Sequence, residues 1–298
     1  MPAAPEASAE LLRYDWLGLS RRAGDGLRRV LVEHPSSRER TIETGRRGEG
    51  GDRTLVIDAA AEDAVFAELE ALHREGASFT AISEERGIVD FGSGGAPPLV
   101  VVDPIDGSTN AKRGLPHHAL SIAVADGATM ADVVFGYVLD LGPEEEWHAV
   151  RGGGAFLDGE PLPEPPPERR RPDGRLELVA VESADPRWFA AASDALVEVT
   201  GRVRVIGSIA ISLCQVAATR VDGMATLWRC RAVDAAAAQL VVRESGGLVA
   251  FTEGATHVPD GTGTGDPLGA PLDLVPRSPV VAARTARALD ELATLPST

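Results

Sequence analysis

The chain has 298 residues, 44% of them apolar, with 29 basic against 45 acidic side chains for a net charge of −16. That length and composition suffice to bury a large core, as one large domain or two smaller ones. The acidity argues against nonspecific binding to nucleic acid or an anionic membrane, so an anionic substrate must be attracted locally, by a metal or by placed arginines.

Leu12, Trp16, Leu19, Ala23, Leu27 and Val30 recur every three or four residues and predict one amphipathic helix. Residues 35–53 are polar, Gly-rich and aperiodic, which reads as a mobile loop. Thr54–Ile57 is a strand candidate ending at Asp58, and Ala59–His73 is helical, with Val65, Leu69 and Leu72 on one face. Phe79–Ser83 is a strand running into Glu84 and Glu85; Leu99–Val102, Ala119–Ala125 and Val133–Leu139 are further strands. Trp147–Arg151 and Ala155–Leu157 flank a Gly-rich turn and form a hairpin. Residues 158–174 are Pro-rich and charged and mark the boundary between two parts, 1–165 and 175–298; ERRR at 168–171 reads as a solvated charge run.

Beyond that boundary strands alternate with helices. The strands are Leu176–Val181, Val203–Ile206, Met224–Trp228, Leu248–Phe251 and Pro279–Ala282. The helices are Arg187–Val199, Ile209–Ala218, Val233–Glu244 and a last one running to Leu292. Such alternation predicts an α/β fold, with sheets covered by helices. Cys214 and Cys230 form neither a disulfide framework nor a zinc cluster, so a reducing cytoplasm is the expected compartment. The N-terminus lacks a basic n-region and an apolar h-region, and no run of about 18 apolar residues occurs. Neither a secretory leader nor a membrane span is expected.

The densest chemistry lies in LVVVDPIDGSTN, Leu99 to Asn110. An apolar strand ends and its mouth presents Asp103 and Asp106, with Pro104 stiffening the turn between them. Gly107 lets the backbone approach a ligand. Ser108 and Thr109 offer hydroxyls and amides where a helix starts, an arrangement that suits an anion. Hard carboxylates beside such amides fit a divalent cation together with a phosphate. An Asp-rich turn with an N-cap is the plainer alternative. Asp58, Glu84 and Asp234 stand at similar junctions of strand and helix, where side chains can face one crevice beyond the strand ends. Helix caps for Asp58 and Asp234, and a solvated loop acid for Glu84, are the competing readings.

DPIDGSTN, with SEE at 83–85 and VDAAAAQLVVRESGG at 233–247, resembles the inositol monophosphatase family of Mg²⁺-dependent, lithium-sensitive phosphatases. The resemblance covers most of the chain, through GGDRTLVIDAAAED at 50–63, GYVLD at 136–140, AVRGGGAFLDGEPL at 149–162 and GSIAISLCQVAATRVDG at 207–223. It is closest to the archaeal-type branch, whose members act on both inositol monophosphate and fructose 1,6-bisphosphate. It implies a layered αβαβα sandwich, commonly dimeric, that hydrolyses a small phosphorylated substrate. Glu84, Asp103 and the Ile105 carbonyl would hold a first Mg²⁺, and Asp103, Asp106 and Asp234 a second. Asp58 lies near a third, weaker position. Gly107 and Ser108 would donate amides to the phosphate, with Thr109 beside them. The Ser108 hydroxyl stands where the family has a threonine that orients the attacking water with Glu84. Paired cations about 3.5–4 Å apart stabilise both attacking and leaving oxygens, so direct attack by water without a phosphoenzyme is expected.

Substrate choice is where this chain departs from the animal-type pattern. There an acidic residue a few positions before the last metal aspartate contacts inositol hydroxyls; here the stretch is Leu227-Trp228-Arg229-Cys230-Arg231. Arg229 or Arg231 would meet a second phosphate bidentately, or both pair with the protein's own acids. Inositol 1-phosphate, fructose 1,6-bisphosphate, histidinol phosphate and a 3′(2′),5′-bisphosphate nucleotide remain alternatives. The nucleotide would need a stacking surface, which an aromatic content of 4% disfavours. A non-catalytic metal- or phosphate-binding regulator predicts a lost ligand, yet every expected carboxylate is present. A two-metal nuclease would want a basic groove, which the net charge opposes.

Overall fold

The structure is a computed structural model that describes residues 6–35, 40, 42–47, 53–252 and 267–297. Its helices are α1 (Glu6–Leu11), α2 (Trp16–Glu33), α3 (Val56–Arg74), α4 (Ser108–Arg113), α5 (Pro186–Val199), α6 (Ile209–Ala217), α7 (Ala232–Glu244) and α8 (Ala286–Ala293). A two-stranded ribbon pairs β1 (Glu43–Arg47) with β2 (Arg53–Leu55). An eight-stranded sheet holds β3 (Phe79–Ser83), β4 (Gly87–Phe91), β5 (Leu99–Asp106), β6 (Ala119–Ala125), β7 (Val133–Asp140), β8 (Glu145–Val150), β9 (Gly154–Leu157) and β10 (Glu160–Pro161), in the order β10-β9-β8-β7-β6-β5-β3-β4. A five-stranded sheet orders β11 (Val179–Glu182), β12 (Val203–Arg204), β13 (Gly223–Thr226), β14 (Leu248–Phe251) and β15 (Val280–Ala283) as β12-β11-β13-β15-β14.

Side-chain alternation along the strands sorts these elements into layers. On β5 and β6, Val100, Val102, Leu120, Ile122 and Val124 face a core that includes Trp16, Leu19 and Leu27 of α2 and Ile57, Val65 and Leu69 of α3. The intervening Leu99, Val101, Ala119, Ala123 and Ala125 face the opposite core, where α6 and α7 lie against both sheets. A third core packs Ala192 and Leu196 of α5 and Ala288 and Leu292 of α8 on the outer face of the smaller sheet. The sequence of layers is helix, sheet, helix, sheet, helix, as the family resemblance implied.

The middle helix layer is thin because α7 is built from alanine. Ala235 to Ala238 are all buried, and β7 meets them with Gly136, where an added Cβ would lie 2.5 Å from the Ala237 carbonyl oxygen. Overpacking at such a contact moves backbone against backbone. Gly136→Val is therefore expected to lower stability by about 3 kcal/mol, read as a fall in the urea midpoint. An unchanged midpoint would show that α7 can retreat.

Several local expectations needed correction. The first helix is broken: α1 stops at Leu11 and α2 begins afresh at Trp16, because the Asp15 carboxylate caps the Gly18 N–H at 2.9 Å. Within 35–53, Glu43–Arg47 form β1 and Arg53 opens its partner β2, a pairing that is a backbone property a polar, aperiodic sequence does not advertise; 36–39, 41 and 48–52 lie outside the described residues. The strand expected at Thr54–Ile57 stops at Leu55; Val56 and Ile57 start α3, with Ile57, Ala61, Val65 and Leu69 buried at four-residue spacing. β4 escaped notice, although GIVDF alternates between its buried ends and its open middle. Residues 253–266, which follow β14, also lie outside the described residues.

ERRR at 168–171 is a clasp rather than a solvated run. The buried Glu168 carboxylate accepts the Arg284 N–H at 2.6 Å, the Thr285 N–H at 2.7 Å and the Thr285 hydroxyl at 2.8 Å. Arg169 pairs with the buried Asp222 at 3.2 Å, and Arg284 reaches the same carboxylate at 2.8 Å. Charge alone predicts solvation; proximity of oppositely charged partners distant in sequence decides otherwise.

Candidate active site

Asp103 and Asp106 are three residues apart, so strict strand alternation would send them to opposite faces. The β5–β6 register prevents this. Asp103 pairs with Ser121 and Asp106 with Ala119, so three steps along β5 match two along β6. The extra residue is a β-bulge, and it returns Asp106 to the side of Asp103. Pro104 sits in the bulge, where the missing amide hydrogen costs no ladder bond. The Ile105 N–H turns back to Asp103 Oδ1 at 3.0 Å.

After the bulge, Gly107 takes φ +89° and starts α4. The positive φ strains any other residue, and a Cβ here would lie 2.9 Å from the Gly207 carbonyl oxygen and 3.0 Å from that of His117. Asn110 locks the turn by donating its amide to the His117 and Ile206 carbonyls at 2.9 and 2.8 Å. Ser108, at the start of α4, lines a small pocket with Asp58, Glu84, Asp103 and Ile105; Thr109 instead faces a wider cleft. The small pocket also holds Lys112, the only lysine of the chain.

Glu84 reaches this pocket from the turn between β3 and β4, and that turn is held by Glu62 of α3. The buried Glu62 carboxylate accepts the Ser83 hydroxyl and, at 3.1 Å, the Arg86 N–H. Burial pushes Glu62 up to about 6 against the pull of those two donors. Glu62→Ala removes both anchors, and a lost support of this kind typically costs about 10- to 100-fold. We expect kcat to fall by that factor with little change in KM. An unaltered kcat would mean the turn holds itself.

Asp106 is fixed from the other side of the crevice. The Ser208 hydroxyl and the Ala210 N–H both donate to its Oδ2, at 2.6 and 2.7 Å, at the start of α6. Asp234 is not the cap of α7: Arg231 holds that position, and Asp234, three residues in, accepts the Arg231 N–H with its Oδ2 at 2.8 Å. The arginines divide. Arg231, expected as a substrate contact, spends its guanidinium on Glu84 Oε1 at 2.6 Å and Asp234 Oδ1 at 2.8 Å. Arg229 is exposed and, among the described residues, has neither hydrogen-bond nor ion-pair partner.

The field of the cluster is strongly anionic. Burial, then the charges of Glu84, Asp106 and Asp234, hold the Asp103 carboxyl well above its ordinary range. Burial and Asp234 push Asp106 up to about 8. Burial raises Glu84 too, against the pull of Arg231. Like charges forced together in a dry crevice repel unless a cation offsets them. The donors are all hard oxygens, which suit Mg²⁺ and not a soft metal. Residues and group therefore fit. Among the described residues no three acidic, histidine or cysteine side chains converge as a ligand set in this conformation, in which Arg231 holds two of the carboxylates.

Beside the acids opens a cleft of about 710 Å³, lined by Asp106, Thr109, Ser208, Trp228, Arg229 and Asp234 among others. His117 lies elsewhere, paired with Asp140 at 2.8 Å, and Cys230 is buried with its thiol on the Ser278 carbonyl at 3.3 Å. Ser208, Glu62 and Trp228 were not singled out from sequence as site residues. Ser208 carried a signal, since GSIAISL reads as a capped helix start.

Comparison with known proteins bears on this geometry. The sequence matches the inositol monophosphatase family over residues 17–295. It is 32% identical over 250 residues to the fructose-1,6-bisphosphatase/inositol-1-monophosphatase of Methanothermobacter thermautotrophicus, covering 81% of this chain and 86% of that one. The inositol-1-monophosphatase of Mesorhizobium japonicum is 34% identical over 223 residues, 70% of this chain and 76% of its own. The solved structure of the Thermotoga maritima IMPase has a TM-score of 0.65 at 22% identity, over 93% of this chain and 96% of that one, a likeness of fold.

Proposed function

The chain belongs to the inositol monophosphatase family and is a phosphoric monoester hydrolase; from that premise we propose that it hydrolyses a small phosphorylated alcohol with Mg²⁺ held by Glu84, Asp103, the Ile105 carbonyl, Asp106 and Asp234. One observation carries the reading. Separate elements bring Glu84 and Asp103 to the small pocket and Asp106 and Asp234 to the cleft beside it, near enough that the other three all raise Asp103, with Arg231 bridging Glu84 and Asp234. No stability argument explains such a cluster, because each carboxylate raises the cost of the next.

When bound, Mg²⁺ supplies neutralisation of the phosphate dianion and a water of lowered pKa. The chain's own residues do the rest. Glu84, raised by burial, is suited to take the proton from the attacking water, and the Ser108 hydroxyl in the same pocket orients that water. Gly107 and Ser108 bring the backbone against the phosphate, as only glycine at 107 allows. Asp58 flanks the pocket as an outer, weaker position.

Among the described residues no helix is long and apolar enough to cross a membrane. A cytoplasmic setting is supported by two cysteines that are both free and buried. A homodimer is proposed from the resemblance alone, and light scattering checks it.

The test of the activity is phosphate release from inositol 1-phosphate, fructose 1,6-bisphosphate, histidinol phosphate and adenosine 3′,5′-bisphosphate, with Mg²⁺ and with chelator. We expect turnover only with the metal. Turnover indifferent to chelator, or silence from folded protein on every ester, would overturn the reading.

A further inference from the structure

Among the described residues, most of the charged and amide side chains that line the larger cleft are already engaged. Both oxygens of the buried Glu182 are taken, by the Ile206 N–H at 2.9 Å, the Gly207 N–H at 3.0 Å and the Ser212 hydroxyl at 2.7 Å. The Asn110 amide and the Ser208 hydroxyl hold the fold and Asp106, and Arg231 holds two acids. A cyclitol or an open sugar needs a partner for each hydroxyl, and an unpaired hydroxyl in a cleft is costly. Besides the hydroxyls of Thr109 and Ser183, the wall presents the indole of Trp228, the exposed side chain of Val205 and Arg229, which has no partner among the described residues.

Trp228 is also built to stay in place. Its ring stacks on Trp188 of α5 with centroids 4.8 Å apart and planes within 5°. Trp188 follows directly on a capped helix start, where Asp185 accepts the Arg187 N–H at 2.8 Å. One indole face is thus covered, while Trp228 stays 36% exposed and lines the cleft, which leaves its uncovered side for a ligand. A rigid aromatic side chain on the cleft wall, beside a guanidinium without a partner among the described residues, recognises a flat π-system better than a puckered ring of hydroxyls.

We propose that Trp228, backed by Trp188, is the platform for the leaving group, and that the favoured substrates are phosphate esters of alcohols bearing a planar heteroaromatic ring. Arg229 meets the polar edge of that ring or a second anionic group on the same molecule. The inference rests on the phosphatase reading and narrows its substrate class. Low aromatic content had argued against a stacking surface, but composition averages over the chain and does not locate its rings.

The experiment compares histidinol phosphate and adenosine 3′,5′-bisphosphate with inositol 1-phosphate and fructose 1,6-bisphosphate, on wild type, Trp228→Ala and Trp228→Phe. Wild type is expected to show the higher kcat/KM on the ring-bearing pair. Trp228→Ala should raise KM for that pair by roughly tenfold or more, leave kcat nearly unchanged and spare the ringless esters. Trp228→Phe, which keeps a flat face, should restore most of the loss. Wild-type preference for the ringless esters, or an equal loss on both classes in Trp228→Ala, overturns the inference while leaving the phosphatase standing. If no ester is turned over, the phosphatase reading fails, and the platform is judged by binding. Histidinol and adenosine, without phosphate, should quench tryptophan fluorescence in wild type and not in Trp228→Phe; absence of quenching overturns it.

Discussion

Asp103→Asn is expected to lower metal-dependent phosphate release by at least about a thousandfold and, in the same protein, to raise the melting temperature measured with chelator at pH 8. The two effects share one cause. Asp103 is almost wholly buried, and its carboxyl is held well above its ordinary value of 3.8 by burial and by Glu84, Asp106 and Asp234. An acid whose folded pKa lies above its unfolded one supports the fold below the unfolded value. That support is lost as pH rises through the folded value. At pH 8 the ionised or strained Asp103 is therefore a burden that asparagine does not carry. Asparagine keeps an oxygen for the Ile105 N–H, so the bulge survives. The gain in melting temperature should shrink toward pH 4, where both side chains are neutral. Thermal denaturation at pH 4 and pH 8 checks this. An equal loss at both would assign Asp103 to structure and not to metal. Added Mg²⁺ should stabilise wild type and leave the variant unmoved.

Which parts of this architecture the sequence made legible follows from the kind of physics involved. β5 and β6 were readable because each is a continuous apolar run, and most of α3 because Val65, Leu69 and Leu72 keep one helical face. The acids of the candidate site stand at strand and helix ends, but each alone reads equally as a cap or a loop acid, and the family resemblance is what grouped them. What no local pattern shows is the register between strands. The β-bulge that puts Asp103 and Asp106 on one side is written in the pairing of β5 with β6, not in either strand alone. The clasp of Glu168 on Arg284, 116 residues away, and the stacking of Trp188 on Trp228 are invisible for the same reason. The β1 and β2 segments, ETGRR and RTL, lack the alternation of apolar and polar residues that announces a strand. Arg231 was noticed as a cation near Asp234, but its grip on Glu84, 147 residues distant, needed the fold.

That grip yields the second large expectation. Arg231→Gln should tighten Mg²⁺ binding by about tenfold while lowering stability in chelator by about 3 kcal/mol. In the folded chain the guanidinium takes Glu84 at 2.6 Å and Asp234 at 2.8 Å, and is itself mostly enclosed. It acts as the cluster's internal counter-charge. A dication that is to use the same oxygens must displace it, and that displacement weakens apparent affinity. Removing the guanidinium abolishes the competition but leaves the carboxylates to repel one another. Metal-free stability should therefore move in opposite directions in the two variants: up in Asp103→Asn, which removes an anion, and down in Arg231→Gln, which removes a cation. Added Mg²⁺ should rescue Arg231→Gln and do nothing for Asp103→Asn. Titration calorimetry with Mg²⁺ and melting curves with and without it read both quantities. Unchanged affinity in Arg231→Gln would show that the arginine merely lies outside the ligand oxygens. Loss of stability in both variants would refute the charge balance on which the site assignment rests. Only a cluster whose anions exceed its own cation, and await another, gives the crossed result.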